Sequence, residues 1–318
     1  MGGMSIQGAD AQFLIGQNEI RFNNNYGIQI GIGNKSQIIN NEIMQNKCGI
    51  EIISAEPYIQ GNVIEKNLTN GILASTYDNV RCDGKIVSNV SISQNRENGI
   101  MCIGNNNYIQ ILENNDISYN KKAGLKISEY AHVFVEKNII SKNLGQGILI
   151  QETSSGIIEN NVIQENIKAN IALGGQNSQN SLIINNKIIG GRCEGIFMIN
   201  ACECFIIRNC IEKNNDGIIM ITSVPLVQNN IIVYNKNHGI MLMKDSRPQI
   251  IQNNIGDNGN VGLYIRDKSC GNIDKNQVQY NSIDLVQEKK HIFLYDLLGN
   301  NVIIGEKRIP SNYQCNIF

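Results

Sequence analysis

The sequence contains no tryptophan, and only 6% of its residues are aromatic. Flat side chains that could stack on bases or sugars are therefore scarce, although eleven tyrosines remain. An excess of one charge is also absent, because 27 basic and 28 acidic residues leave a formal net charge of −1. Nucleic-acid-binding domains usually carry a strongly basic surface. The composition therefore predicts that the protein does not bind nucleic acid.

Long apolar runs are missing as well. No stretch approaches the ~18 apolar residues of a membrane-spanning helix, and the first residues lack the basic and apolar regions of a secretory signal peptide. The nine cysteines are an odd number, which fits free thiols in a reducing compartment. These features predict a protein that does not contact membranes and is located in the cytoplasm.

What the sequence does contain is a repeated phrase, Asn-x-Ile-x-x-Asn, followed after three or four residues by Gly-Ile-x-Ile. One copy begins at Asn41 and continues to Gly49 and Ile50. A fixed period of about 22–25 residues indicates a solenoid of stacked units. The repeated glycines are Gly27, Gly49, Gly71, Gly99, Gly124, Gly147, Gly195, Gly217, Gly239 and Gly262.

Twelve turns can be aligned on this phrase, with three exceptions. Val90 takes the first Asn position in the fourth turn, Gly191 takes the second Asn position in the eighth, and Asn170 takes the Gly position in the seventh. Asn170 suits that position if the backbone there is left-handed, which Asn tolerates better than most residues. Stacked Asn amides can bond to one another along a column. We therefore interpret the Asn residues as structural ladders and not as ligands.

The spacing of apolar residues predicts strands. After each Gly, the first and third residues are apolar, as at Ile50 and Ile52, and this alternation is typical of a strand with one buried face. Each turn has room for three short strands and three bends, so the fold class is all-β. We expect a partial or irregular turn over residues 1–14, a solenoid over residues 15–285 and a capping segment over residues 286–318.

The repeats resemble those of the right-handed parallel β-helix superfamily, which is pectin-lyase-like, over roughly residues 10–285. The runs that begin at Pro225 and Pro248 carry the resemblance, and they are most similar to the β-helices of F-box-only substrate receptors and SHC-binding spindle-associated proteins. The resemblance implies a single right-handed parallel β-helix of about twelve turns with three strands per turn.

Most β-helix enzymes act on polysaccharides, but their catalytic residues are not recognisable here. Asn237-His238-Gly239 and Arg266-Asp267-Lys268 only partly match the motifs of polygalacturonase-like hydrolases, and the paired carboxylates that such hydrolysis needs are missing. There is no Asp-Pro-His-Asp run of the alginate-epimerase kind and no calcium-binding cluster of carboxylates. We therefore predict no catalytic residues, no metal and no cofactor, and interpret Cys193, Cys202, Cys204 and Cys210 as structural.

An insertion over residues 75–85 interrupts the repeat between Gly71 and Gly99. Loops that interrupt a solenoid often carry its function. Two interpretations stay open: a polar site and a solvated loop without a task. The residues of the polar site would be Asp78, Arg81, Asp83 and Lys85.

The second residue after each Gly should point outward, yet in the late turns it is apolar. These side chains would form one apolar patch, which we call the late apolar column, and a patch of several hundred Å² needs an explanation. Either a partner protein covers it or the C-terminal segment folds over it. Its members are Phe197, Ile199, Ile219, Ile221, Met241, Met243 and Tyr264.

Two hypotheses on function follow. The first is a non-catalytic scaffold that binds protein partners through the late apolar column, in some larger assembly. The alternative is a polysaccharide-active enzyme or a carbohydrate-binding β-helix with its site in the insertion or the acidic bends. An enzyme of the glycosidase type needs two carboxylates about 5–10 Å apart, whereas a scaffold needs an uncovered apolar face.

Overall fold

The computed structural model of the protein describes residues 2–174, 180–200, 203–288 and 294–309. Cys202 and the last residues of the predicted capping segment lie outside these ranges. The described chain winds into about thirteen turns, and its strands form three sheets in which every neighbouring pair is parallel. The prediction of an all-β parallel β-helix with three strands per turn is confirmed.

Strands are numbered in chain order. The first sheet holds 14 strands and runs from one end of the solenoid to the other. Its strands are β1 Met4–Ile6, β4 Tyr26–Ile30, β7 Cys48–Ile53, β10 Ile72–Ser75, β13 Ile100–Ile103, β16 Leu125–Ser128, β19 Ile148–Gln151, β22 Ile171–Gly174, β25 Glu194–Ile199, β28 Asp216–Ile221, β31 Ile240–Met243, β34 Val261–Ile265, β37 Ile283–Gln287 and β39 Lys307–Arg308.

The second sheet holds 12 strands. Its strands are β2 Leu14–Gly16, β5 Gln37–Ile39, β8 Tyr58–Gln60, β11 Lys85–Val87, β14 Gln110–Leu112, β17 His132–Glu136, β20 Ser155–Glu159, β23 Leu182–Ile184, β26 Phe205–Ile207, β29 Leu226–Gln228, β32 Gln249–Ile251 and β35 Asn272–Asp274.

The third sheet holds 13 strands. Its strands are β3 Glu19–Arg21, β6 Glu42–Met44, β9 Val63–Glu65, β12 Ser91–Ser93, β15 Asp116–Ser118, β18 Ile139–Ser141, β21 Val162–Gln164, β24 Lys187–Ile189, β27 Cys210–Glu212, β30 Ile231–Val233, β33 Asn254–Gly256, β36 Gln277–Gln279 and β38 Val302–Ile303. One helix, α1 Leu294–Asn300, lies against β35.

The core consists of columns of aliphatic side chains, one from each turn. Ile50, Ile72 and Ile100 pair in register along the first sheet, and all three are fully buried. Complete burial of one such side chain contributes roughly 1.5–3 kcal/mol relative to leaving it exposed. The period-2 pattern of the sequence therefore describes the real inward face.

The repeated glycines are required for close approach and not for a left-handed backbone. A Cβ on Gly49 would lie 2.7 Å from Ile64 Cγ2 and even closer to the carbonyl oxygen of Gly71 in the next turn. The left-handed residues instead come just before the ladder Asn residues, as at Lys137, whose φ is 56°. Asn170 has no positive φ, so the prediction of a left-handed backbone at this position is wrong.

The Asn columns form the ladders expected from the sequence. The Asn138 side-chain amide donates to Asn161 Oδ1 at 3.2 Å and to the carbonyl oxygens of Ile111 and Glu136, both at 2.8 Å. The backbone N–H of Asn138 also donates to Asn161 Oδ1, at 2.9 Å. A buried amide is costly without partners, and here each one is satisfied by its neighbours.

All three exceptions in the alignment have structural explanations. In the fourth turn the ladder residue is Asn89, not Val90, because Asn89 Nδ2 donates to Asn115 Oδ1 at 2.8 Å while Val90 is 65% exposed. In the eighth turn Gly191 leaves a gap in the second column. Asn170 fills it by accepting from Asn166 Nδ2 and donating to Asn214 Oδ1, both at 2.8 Å.

The ladders end at residues with different chemistry. The fully buried Asp284 closes the second column by accepting from the backbone and side chain of Asn281 and from the N–H of Gly305. Asn301 extends the first column, and its amide donates to the carbonyl oxygen of Leu297 in α1. Strands β1, β38 and β39 lie outside residues 15–285 and still pair with the solenoid.

No helix in the described part of the chain combines the length and the hydropathy needed to span a bilayer.

Candidate functional site

The insertion over residues 75–85 is a braced structure. Tyr77 and Val80 form an antiparallel bridge across a two-residue turn, in which Asp78 and Asn79 both have positive φ. That conformation is typical of a tight type I′ turn. The buried Ser54 hydroxyl donates to the carbonyl oxygen of Val80 at 2.8 Å and accepts from the Tyr77 N–H at 2.7 Å. The insertion is therefore anchored to the preceding turn.

Beyond this turn, the chain carries Arg81 over the outer surface of the second sheet. The Arg81 guanidinium pairs with Asp83 at 2.8 Å and lies 4.6 Å from the centre of the Tyr108 ring. A cation over an aromatic face is attracted by the ring quadrupole. Carboxylate and ring together fix the guanidinium, although the Arg81 side chain remains 62% exposed.

The next two turns continue this row of side chains. The Tyr108 ring stacks on the His132 ring with centroids 5.7 Å apart. His132 Nδ1 lies 2.6 Å from Ser155 Oγ in the following turn, where the two residues pair in register. Tyr108, His132 and Ser155 therefore form one column along the axis of the solenoid.

A groove of about 520 Å³ lies beside this column. Phe134 and Ile157, paired in register on β17 and β20, supply its apolar part. The lining residues are Arg81, Asp83, Tyr108, Gln110, His132, Val133, Phe134, Ser155, Gly156 and Ile157.

The structure separates the four residues predicted from the insertion. Arg81 and Asp83 line the groove. Asp78 is exposed in the tight turn, and Lys85 is exposed at the start of β11, and neither belongs to the groove lining. Tyr108, His132 and Ser155 were missed from the sequence. Their signal was their spacing, since they recur one turn apart in the second sheet, which the repeated glycines do not mark.

The groove combines apolar surface with a few polar groups of fixed position, which is the usual make-up of a small-ligand site. It is lined by the Arg81 cation, by the aromatic side chains of Tyr108, His132 and Phe134, and by hydrogen-bonding groups at Ser155 and Gln110. Asp83 is the one carboxylate among its described lining residues. The arrangement suits binding of a polar ligand with apolar faces, and it lacks the carboxylate pair of glycosidases.

The late apolar column is in the register predicted from the sequence. Phe197, Ile219, Met241 and Tyr264 pair successively along the first sheet. These side chains are only partly exposed, and Met241 retains 9% of its accessible surface. The described residues of the C-terminal segment extend the sheets at the end of the solenoid, and among them Glu288 accepts a hydrogen bond from the Tyr264 hydroxyl. Partner binding by the column is untested by these contacts.

His238 belongs to another polar column, just before the glycines. The backbone N–H of His238 donates to Asp216 Oδ1 at 3.1 Å, and the ring Nδ1 of His238 accepts from the backbone N–H of Val261 at 3.3 Å. Burial lowers the pKa of His238, whereas burial raises the pKa of Glu194 in the same column, and nearby Asp216 adds to that rise. These bonds link successive turns, so His238 and Asp216 are structural.

The described cysteines do not form a metal site. No group of three or more His, Cys, Asp or Glu side chains converges as metal ligands within the described ranges. Burial raises the pKa of Cys48 and of Cys82 to about 12. Thiols held in this protonated form are poor metal ligands.

Two known families match the sequence. The family described as "Right handed beta helix region" matches residues 79–226, and the family described as "Periplasmic copper-binding protein (NosD)" matches residues 175–313. None of the curated proteins is significantly similar in sequence. The described residues do not fit a copper site, since their His, Cys, Asp and Glu side chains do not cluster.

Solved structures of the periplasmic alginate epimerase AlgG are similar in fold. A single-site variant aligns with a TM-score of 0.54 at 14% identity, over 80% of this chain and 76% of the other. A double variant aligns with a TM-score of 0.52 at 15% identity, over 88% of this chain and 76% of the other. AlgG itself gives 0.51 at 14% identity over 77% and 75%. At such low identity the likeness establishes the fold alone.

These findings overturn two predictions. The prediction of a non-catalytic protein-interaction scaffold is contradicted by the comparisons, which find an alginate epimerase and a family of periplasmic copper-binding proteins. Physically, apolar side chains that stack in register cover one another, so an apolar column need not be an open interface. The cytoplasmic location is also wrong, because both NosD and AlgG are described as periplasmic. Buried thiols are protected wherever the protein is located, so unpaired cysteines did not identify a compartment.

The sequence matches extend, with overlap, from residue 79 to residue 313, and the described fold has the three parallel sheets of such proteins. The described chain therefore has the parallel β-helix fold, and residues 79–226 match the right-handed β-helix family.

Proposed function

We propose that the protein is a carbohydrate-binding β-helix of the periplasm and that it binds a polysaccharide in the groove beside Arg81, Tyr108 and His132. The observation that carries the proposal is the continuous row from Arg81 to Ser155, which crosses four turns of the solenoid. A row along the axis suits an extended chain of sugar units better than a compact ligand.

The chemistry of the groove supports a saccharide. Sugar rings have apolar C–H faces and a polar rim, so they favour sites that place aromatic rings beside directed hydrogen-bonding groups. Phe134 supplies a ring, Tyr108 lines the groove between the stacked Arg81 and His132, and Ser155 and Gln110 supply the polar groups. Two tethers hold Arg81 in place, which reduces the conformational entropy lost on binding.

A periplasmic location is supported by the descriptions of NosD and AlgG. It also agrees with the substrate class, since periplasmic proteins meet cell-surface polysaccharides. Fractionation of the native cells would test it, with the protein expected in the periplasmic fraction and a known cytosolic enzyme absent from it.

The decisive experiment measures saccharide binding. Oligosaccharides of neutral and acidic sugars would be screened on an array, and the best ligand measured by calorimetry with the wild type and Tyr108→Ala. Removal of a central aromatic contact is expected to weaken binding by about tenfold or more. Tyr234→Ala is the matched control, because Tyr234 is 55% exposed on a distant turn and makes no described ring contact.

Absence of binding to every saccharide on the array would refute the proposal. Equal losses in Tyr108→Ala and Tyr234→Ala would refute the groove as the site. Circular dichroism of both variants checks that the solenoid is intact.

A further inference from the structure

A second pocket, of about 360 Å³, lies at the bend between the third and first sheets, on another face from the groove. Four lysines contribute to its lining: Lys121, Lys122, Lys126 and Lys168. The whole chain has a net charge of −1, so this concentration of cations is local.

Backbone stacking brings two of these lysines to the two sides of a glycine. The backbone N–H of Gly145 donates to the carbonyl oxygen of Lys122 at 2.9 Å. The backbone N–H of Lys168 donates in turn to the carbonyl oxygen of Gly145 at 3.1 Å. The three residues therefore occupy one position in successive turns. A Cβ on Gly145 would lie 2.6 Å from the backbone of Lys122, so the position between the lysines carries no side chain.

Lys126 reaches the same pocket from the first sheet. It pairs in register with Met101 on one side and Leu149 on the other, and both line the pocket. Apolar neighbours limit the access of water to the Lys126 stem, and a charge near low-dielectric surface interacts more strongly with a bound ion of opposite sign.

Only one of the four lysines has an acidic partner in the described chain. Lys122 pairs with Glu97 at 2.9 Å, whereas Lys121, Lys126 and Lys168 have no described carboxylate within 4.0 Å. The pocket therefore carries an excess of about three positive charges, whose mutual repulsion an anion would relieve.

We propose that this lysine pocket binds an oxyanion of a saccharide, either a carboxylate or a sulfate ester. The oxyanion follows from the lysines, and the saccharide as its carrier rests on the proposed function. Lysine is a mobile point charge with three donors, so the pocket suits oxyanions of more than one geometry.

The test compares probes and charge-removing variants. Binding of galacturonate oligomers, sulfated oligosaccharides, neutral glucose oligomers, inorganic sulfate and inorganic phosphate would be measured by calorimetry at low and physiological salt. Lys126→Gln with Lys168→Gln is expected to weaken binding of the acidic oligomers by about tenfold or more, and to reduce its dependence on salt. The matched control is Lys236→Gln, because Lys236 follows a ladder Asn as Lys121 does, is exposed and has no described ion pair.

Three outcomes would overturn the proposal. They are no binding of any anionic probe, equal loss in the control, and binding of inorganic sulfate or phosphate without any acidic oligomer. Failure of the groove is distinguishable, because Tyr108→Ala reports on the groove and leaves all four lysines in place. A lysine effect on acidic oligomers with no effect of Tyr108→Ala would support this pocket and contradict the groove.

Discussion

The groove and the late apolar column are both outward faces of parallel sheets, but they differ in how their side chains meet. In the column, Phe197, Ile219 and Met241 stack in register and cover one another. In the groove, Arg81, Tyr108 and His132 also stack on one another, but their row stands beside open space that its members line together. The comparison teaches that side chains which converge on a space indicate a site, whereas side chains which fill the space indicate packing.

The insertion explains the difference. The chain between Gly71 and Gly99 is long enough to form a braced turn and to bring Arg81 onto the Tyr108 ring. The described bends that follow β28 and β31 are shorter than this insertion. The column should therefore influence stability and the groove should influence binding.

The largest expected effect tests the column as packing. Ile219→Asp places a carboxylate between Phe197 and Met241, and we expect the free energy of unfolding in urea to fall by about 2 kcal/mol, because a charge loses hydration among apolar neighbours. Ile157→Asp is the counterpart in the groove, where Ile157 is 43% exposed, and should cost roughly half as much. Equal costs would remove the distinction between the two faces.

A smaller effect is expected from the hydroxyl that orients His132. Ser155→Ala removes the contact of 2.6 Å with His132 Nδ1 and should weaken saccharide binding by about fivefold, the equivalent of one hydrogen bond of roughly 1 kcal/mol. In the column, Tyr264→Phe removes the bond to Glu288 and should leave the affinity unchanged. A change in affinity for Tyr264→Phe alone would reverse the assignment of roles.

The smallest effect is a pH dependence confined to the late turns. Burial lowers the pKa of His238 from its ordinary value of 6.5; Asp216 opposes this shift and Arg266 adds to it. The unfolded chain therefore binds the proton more tightly than the folded one. The stabilising contribution is complete above pH 6.5 and is lost as the pH falls from there through the lower folded pKa.

Because His238 is only partly buried, this contribution should stay below about 1 kcal/mol. Urea unfolding at pH 7.5 and at pH 5.5 would measure it, with His238→Gln as the comparison. We expect the wild type to lose more stability than the variant on acidification. The same loss in both proteins would show that His238 does not titrate with folding.

The sequence was sufficient for the architecture because each turn repeats the same constraints. The Asn columns, the inward Ile columns and the register of the late apolar column could all be predicted from spacing. The prediction was wrong where the insertion changes the spacing, because it placed Val90 in the first Asn column, where the structure has Asn89. The spacing could not predict that Asn170 fills the gap at Gly191, because Asn170 occupies the Gly position of the repeat and its side chain reaches into the second Asn column.

The groove was only half predictable for a related reason. Arg81 and Asp83 could be predicted because the insertion that carries them lengthens one step of an otherwise regular repeat. Tyr108, His132 and Ser155 lie on regular turns of the second sheet, where no residue of the repeated phrase indicates that their side chains form a column. A contact between residues one turn apart becomes predictable only when all three sheets are aligned, whereas the repeated glycines mark only the first sheet.

The ladders also give the rod a direction. In the second column each side-chain amide donates toward the next member, as Asn143 does to Asn166, so the bond dipoles of the column add and do not cancel. All the hydrogen bonds between side chains of such a column therefore point in the same direction along the axis of the solenoid. Its last member needs acceptors and no onward donor, which is what the carboxylate of Asp284 provides. A polymer of turns built in this way has a head and a tail, and an extra turn can be spliced within the chain more readily than appended after its terminator.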